Sequence, residues 1–292
     1  MGGYLMPTML FLLFASVVSM CLSVLPSVAD ITSFRSVVQP AQFTATISGE
    51  LILPKGRGPF PIIVFMHTCG GLNQSGRQSQ RDHAAYFASH GFASFLLDSF
   101  RGRKIGRVCE DRSLNHAMVD VRVFDAFNAI IELRKRKDIN HENIYLFGQS
   151  HGATAGISVA RSDGGRPFPD LAFRAVAAFY GSCTGLSLMT NQLRSPLLIV
   201  AGDKDTWTPV EHCIWIEKHK GFTGAVLKTK VYPDAYHAFD IPFTQPIFFQ
   251  HHKLAYNRGA TVDSRKLVLE FFAGFLTDDL KGKAPYVSLV RK

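Results

Sequence analysis

Charge is missing from the start of this chain. The first 29 residues hold no Asp, Glu, Lys or Arg, and their apolar run MLFLLFASVVSMCLSVL leads into PSVAD. The terminal amine is the only positive charge of an n-region. Ser27 and Ala29 are small enough for the −3 and −1 places of a signal-peptidase site, which predicts a signal peptide over residues 1–29 with cleavage after Ala29. That places the mature protein in the periplasm or outside the cell, with no stable membrane insertion once the signal is removed. An uncleaved membrane anchor is the alternative, because the run is barely long enough to span a bilayer. A lipoprotein site is excluded, since Cys21 follows Met20, where a small residue is needed.

Other absences narrow the rest. No repeat, low-complexity segment or Pro/Gly/Ser-rich linker divides residues 30–292, which predicts one domain. Of the 292 residues 47% are apolar and 19% charged, so a sizeable core is available and disorder is excluded. No C-x-x-C and no paired histidines accompany the scattered cysteines, which argues against a zinc site. Past the leader the cysteines are Cys69, Cys109, Cys183 and Cys213. An even count in an exported chain permits two disulfides, in any of three connectivities. The net charge is +9, yet Lys and Arg are dispersed apart from RKRK at 134–137. That cluster sits at the end of a predicted helix, where cations suit the helix dipole. Without stacking aromatics or a nucleic-acid motif it does not imply a nucleic-acid partner.

What is present is an alternation of strands and helices. FTATISGELIL (43–53) reads as extended chain. IIVFMH (62–67), FASFLLD (92–98), NIYLFG (143–148), AVAAFYG (175–181), PLLIVAGD (196–203) and LKTKVYPD (227–234) read as six successive strands. Most are continuously apolar, as expected of strands buried on both faces. Helical spacing marks RDHAAYFASHG, SLNHAMVDVRVFDAFNAIIELRKRK, ATAGISVAR, EHCIWIEKHK and SRKLVLEFFAGFL. The pattern predicts an α/β fold, with a mostly parallel sheet and helices on both faces.

In such a sheet ligands bind beyond the carboxyl ends of the strands, so reactive residues just after strands carry weight. Ser150 stands in Gly148-Gln-Ser-His-Gly152, a Gly-x-Ser-x-Gly turn between a strand and a helix. That context raises a serine oxygen clear of the sheet; helix capping is the ordinary alternative. Asp203 and Asp205 follow the fifth strand, and either can supply an acid; an Asp-rich turn explains them equally. His237 follows the sixth. A serine needs a base to accept its proton, and the order Ser, Asp, His matches that of alpha/beta-hydrolases. His83, His90, His116, His141, His219, His251 and His252 are read as structural or exposed. An oxyanion needs backbone N–H donors; His151, after the serine, and Cys69, in the loop after IIVFMH, are the candidates.

Together, PIIVFMHTCGGLN, GFASFLLDSFRGR, IYLFGQSHGA, AVAAFYG, LLIVAGDKDTWTP and YPDAYHAFD resemble the dienelactone hydrolase family of alpha/beta-hydrolases, from about residue 44 to 276. The resemblance implies an alpha/beta-hydrolase fold and a triad of Ser150, Asp205 and His237, with Asp205 rather than Asp203 as the acid. It also sets a departure: the founding enzymes carry cysteine at the elbow, and their pocket glutamate falls at Thr68. A dienelactone substrate is therefore not implied, whereas hydrolase chemistry is. Arg101 and Arg103 lie near the family's carboxylate-binding arginine, with solvated surface arginines as the alternative. FDIPFTQPIFF and Trp207 are candidates for a substrate pocket or for plain core packing. On this fold the expected bridges are Cys69–Cys109 and Cys183–Cys213, steadying the oxyanion and acid loops.

The function expected from these residues is an exported serine hydrolase, cleaving a small ester, lactone or related acyl substrate through an acyl-enzyme, with no metal or cofactor. A non-catalytic binding protein on the same fold and an acyltransferase using the same triad are the alternatives. The oligomeric state is not legible.

Overall fold

The computed structural model describes residues 1–3, 30–161, 168–184, 192–219 and 221–290. The apolar run read above as a signal peptide lies outside the described residues, apart from the first three. The chain then forms β1 (Asp30–Ser36), β2 (Ala45–Ile52), β3 (Phe60–Met66), α1 (Gln74–Ala88), β4 (Ala93–Asp98) and α2 (Arg112–Leu133). It continues through β5 (Ile139–Gln149), α3 (His151–Ala160), β6 (Val176–Phe179), β7 (Gln192–Leu193), β8 (Leu197–Gly202) and α4 (Glu211–His219). After β9 (Thr223–Gly224) and β10 (Leu227–Tyr232), a hairpin of β11 (Ile247–Phe249) and β12 (His252–Leu254) precedes α5 (Arg258–Gly274).

Eight strands make the main sheet, in the order β1-β2-β4-β3-β5-β6-β8-β10. The six from β4 to β10 run parallel, while β1 and β2 are antiparallel additions at one edge. This is the alpha/beta-hydrolase architecture. Every residue of β3, β4, β6 and β8 is buried, because both faces are covered. Ile62, Val64 and Met66 of β3 pack with Phe127 and Ile130 of α2 and Ile157 of α3. The alternate residues Ile63 and Phe65 pack with Phe87 of α1 and Phe272 of α5. This period of two is what a pleated strand imposes. At the far edge β10 has no second neighbour among the described residues, and there LKTKVY exposes Lys228 and Lys230. Lysines on a bare edge discourage pairing with another chain.

Three differences from the sequence reading have local causes. β1 was not anticipated: DITSFRS is mostly polar, and it earns its place only by antiparallel pairing with β2. α1 begins seven residues before the expected RDHAAYF, because Asn73 caps it by accepting from Gly76 N–H at 2.9 Å. α2 ends at Leu133, so RKRK falls just beyond it, where Arg136 pairs with Asp138 and Asp30. No helix among the described residues is long and apolar enough to cross a membrane.

Candidate active site

The parallel strands bring the loops after β3, β5, β8 and β10 to one edge of the sheet. At the end of β5 the chain turns into α3 through Ser150, which takes φ 51° and ψ −115°. A non-glycine residue in that conformation stores about 1–3 kcal/mol of strain. The flanking glycines are sterically required. A Cβ on Gly148 would lie 2.4 Å from the carbonyl oxygen of Gly152, and one on Gly152 would lie 2.2 Å from that of Met66. Ser150 N–H donates to Phe179 O at 2.9 Å, which ties the turn to β6.

Ser150 Oγ lies 3.0 Å from His237 Nε2, and His237 Nδ1 lies 2.8 Å from Asp205 Oδ2. Asp205 Oδ1 accepts from the N–H groups of Trp207 and Thr208 at 2.8 and 2.9 Å. The Thr208 hydroxyl is 2.8 Å from both Asp205 Oδ2 and Tyr180 O. Burial alone would raise the Asp205 carboxyl; hydrogen bonding and charge from His237, with the bonds from Thr208, more than offset it and hold the group below the usual carboxylate range. An ionised Asp205 fixes the His237 proton on Nδ1, leaving Nε2 as an acceptor toward Ser150. Asp203 is exposed and does not reach this site. β12 also supports the histidine, through a parallel bridge between His237 and Leu254.

Across from the histidine lies the loop after β3. Cys69 and Cys109 are joined by a disulfide, and Val108 N–H donates to Cys69 O at 2.9 Å. Thr68 Oγ1 accepts from Gly70 N–H at 3.3 Å, which tightens the turn. Among the described residues the N–H groups of Cys69 and His151 meet no acceptor. His151 opens α3, where first-turn N–H groups have no partner within the helix. On the acid side a second disulfide joins Cys183, beyond β6, to Cys213 of α4.

The other anticipated residues divide. Arg103 is corrected: its side chain is 3% exposed and its guanidinium is bound to Asp125 at 2.7 and 2.9 Å, to Phe43 O and to Ser99 O. Buried and with four of its five N–H donors committed to the protein, it is not available to a substrate carboxylate. Arg101 is 75% exposed and lines a cavity of about 370 Å³ with Gly70, Gly71, Asn73, Phe100 and Ile105, beside Cys69. Trp207 is half-buried, with its ring 4.9 Å from that of His237. Phe249 and His252 of the hairpin stack on it at 4.9 and 5.4 Å, nearly parallel. The tail of FDIPFTQPIFF therefore braces Trp207, and Phe248 at its end is exposed. A larger groove, about 1250 Å³, opens at the opposite edge of the sheet around Pro54–Phe60 and Tyr286, away from Ser150. Sequence reasoning missed Tyr180, whose ring meets His237 edge-on at 4.9 Å. A tyrosine inside an apolar strand gives no signal of that contact.

Comparison with known proteins adds to this geometry. Residues 47–276 match the dienelactone hydrolase family. The chain is 24% identical over 236 residues to "Protein usf" of Aquifex pyrophilus, an alignment covering 79% of this chain and 94% of that protein. It is 26% identical over 136 residues to "Esterase FrsA" of Enterobacter sp. (strain 638), covering 46% of this chain and 30% of that one. Among solved structures, a thermophilic esterase of Thermogutta terrifontis with propionate bound superposes with a TM-score of 0.59 at 19% identity, over 85% of this chain and 96% of that chain. At that identity the likeness speaks for the fold.

Proposed function

This chain belongs to the dienelactone hydrolase family and is a hydrolase of ester bonds; we propose that it works as an exported serine hydrolase on small ester or lactone substrates, with Ser150 as nucleophile, His237 as base and Asp205 as orienting acid. The observation that carries the reading is the unbroken contact from Ser150 Oγ through His237 to Asp205, at 3.0 and 2.8 Å, on a strained turn beside two N–H groups that meet no acceptor among the described residues.

In this mechanism His237 Nε2 takes the hydroxyl proton as Ser150 Oγ bonds to the acyl carbon, and the carbonyl π electrons move onto oxygen. The N–H groups of Cys69 and His151 receive that oxyanion. Asp205 stabilises the imidazolium. The tetrahedral species collapses, the bond to the leaving oxygen breaks, and His237 delivers its proton there. Water then attacks the acyl-enzyme while His237 takes its proton, and collapse returns it to Ser150 as the acid departs. The serine elbow needs no pocket glutamate to control a thiol, in keeping with Thr68 at that position. Export is supported by the uncharged leader over residues 1–29, with cleavage after Ala29, and by two disulfides, which persist in oxidising compartments.

The test is a panel of p-nitrophenyl esters, lactones and anilides on the exported protein, with a fluorophosphonate probe and Ser150→Ala as control. The expected result is ester turnover, probe attached at Ser150, and loss of both in the variant. Equal turnover by Ser150→Ala would overturn the mechanism. An added alcohol that captures the acyl group in preference to water would make the protein an acyltransferase.

A further inference from the structure

Arg122 of α2 is fully buried and, among the described residues, has no carboxylate within hydrogen-bond reach. One amino group donates to His67 O at 2.7 Å, and the other lies 2.7 Å from His151 Nδ1. Because a guanidinium only donates, His151 Nδ1 must accept, so its proton is on Nε2. That Nε2–H donates to Asn115 O at 2.8 Å. Asn115 Nδ2 donates to Val108 O at 3.2 Å, and Val108 N–H donates to Cys69 O at 2.9 Å. His67 and Cys69 are two residues apart, so these bonds close a ring: His67, Arg122, His151, Asn115, Val108, Cys69. The ring passes through both residues whose N–H groups are proposed to receive the oxyanion. Burial, reinforced by the Arg122 charge, holds the His151 imidazole down at about 3, so it stays neutral and able to accept. Phe100 closes the side of the site, with the Arg122 guanidinium carbon 5.3 Å from its ring centroid.

We propose that Arg122 is the positioning residue of the oxyanion hole: it fixes the loop after β3 through His67 O and the first turn of α3 through the His151 ring, and so sets the spacing of the Cys69 and His151 N–H groups. The inference rests on the serine-hydrolase reading above. Arg122 touches no substrate atom and acts through the two backbone donors. A lysine keeps the charge but lacks the fork that reaches two acceptors at fixed spacing.

The experiment compares wild type, Arg122→Lys and His151→Leu. The second variant breaks the ring at another place while leaving the backbone N–H, and covers the case in which the buried arginine cannot be replaced without unfolding. Each is assayed with p-nitrophenyl acetate and with an alkyl trifluoromethyl ketone. Ser150 Oγ adds to that ketone's carbonyl carbon, its proton passes to His237, and the π electrons become an oxyanion. In both variants kcat/KM should fall about 10- to 100-fold, below the loss of a whole donor. The inhibition constant of the ketone should rise by the same factor, with KM changed less than about threefold. Damage to the fold alone would lower the melting temperature without linking ketone affinity to kcat/KM. Folded variants that keep kcat/KM and ketone affinity within about twofold would overturn the inference alone. Wild-type protein inert to the ester and to a fluorophosphonate would overturn the serine-hydrolase reading along with it.

Discussion

Two aspartate–histidine pairs lie close together in this molecule. Asp205 and His237 meet at 2.8 Å, and Asp240 and His83 at 2.7 Å; both pairs are buried. Tyr180 links them, with its hydroxyl on Asp240, its ring against His237 and its carbonyl on the Thr208 hydroxyl that also faces Asp205. The pairs differ in which nitrogen faces the carboxylate and in what the other nitrogen meets. His237 turns Nδ1 to its aspartate and Nε2 to Ser150 Oγ. His83 turns Nε2 to Asp240, and its Nδ1 accepts from Arg265 Nε at 3.2 Å. Burial holds His83 below its ordinary value against the pull of Asp240, so its ring is neutral with its one free lone pair occupied. Gln149, next to the serine, donates to Asp240 at 2.8 Å. The same pair of side chains thus faces a serine hydroxyl in one setting, where we propose that it acts as a base, and forms a rivet under the elbow in the other. What separates them is the group at the second nitrogen.

That comparison breaks most sharply by substitution. Ser150→Ala and His237→Ala should each lower kcat/KM on p-nitrophenyl acetate by about 10⁴-fold or more, with little loss of stability. Asp205→Asn should cost about 10²–10⁴-fold, since the imidazole loses its tautomer control. Asp203→Asn should stay within about twofold, and a larger loss at Asp203 than at Asp205 would reverse the choice of acid. His83→Leu should show the opposite profile. It removes one of the three side-chain donors to the buried Asp240 carboxylate, at about 1.5–3 kcal/mol of stability, measured by denaturant unfolding. Turnover per probe-labelled site should fall less than about tenfold. If His83→Leu stayed folded and lost as much turnover as His237→Ala, the distinction between the pairs would collapse.

The contrast also explains what the sequence could disclose. The buried strands announce themselves as apolar runs, and the order serine, aspartate, histidine after the third, fifth and sixth strands points to their meeting. Choosing between Asp203 and Asp205 required the family resemblance, because both follow the same strand; burial now separates them. Arg101 and Arg103 look alike in SFRGR, and only the fold reveals that Asp125, on a distant helix turn, claims Arg103. Arg122 sits in an amphipathic stretch where an arginine ordinarily faces water, so nothing local marks it as buried. His83 and Asp240 are 157 residues apart, and no periodicity relates them. Contacts fixed by backbone pattern were legible, whereas polar pairs formed across elements were not.

The two disulfides sharpen the comparison at smaller scale. They close segments of similar length, with sequence separations of 40 and 30 residues. Loop-closure entropy therefore gives them nearly equal stabilising effects, about 3–4 kcal/mol each. Their effects on turnover should differ. Cys109→Ser frees the loop that presents the Cys69 N–H and should lower kcat several-fold more than Cys183→Ser with Cys213→Ser, at a comparable drop in unfolding free energy. Equal losses of kcat would mean that the bridge at Cys69 does no more for the site than its counterpart.

The smallest expected effect concerns acid stability, and it returns to the histidines kept neutral. His67, His83 and His151 are all held below their ordinary value, each first by burial, with the Arg122 charge adding to the shift at His67 and His151. As pH drops below about 6.5 the unfolded chain takes up protons that the folded one refuses, so each such group lowers stability, by at most about 1.4 kcal/mol per pH unit. For His151 this continues until the pH nears about 3. The carboxylates Asp205 and Asp240, whose folded values are depressed, add a separate loss only as the pH falls below about 4. Replacing His151 by Gln, which can still accept from Arg122 and donate to Asn115 O, removes one of the three groups without adding a charge. The slope of unfolding free energy between pH 6 and 4 should then decrease by at most about 1.4 kcal/mol per unit, as read from urea midpoints across that range. An unchanged slope would mean that the His151 ring takes up its proton in the folded protein, which would remove the acceptor that Arg122 uses.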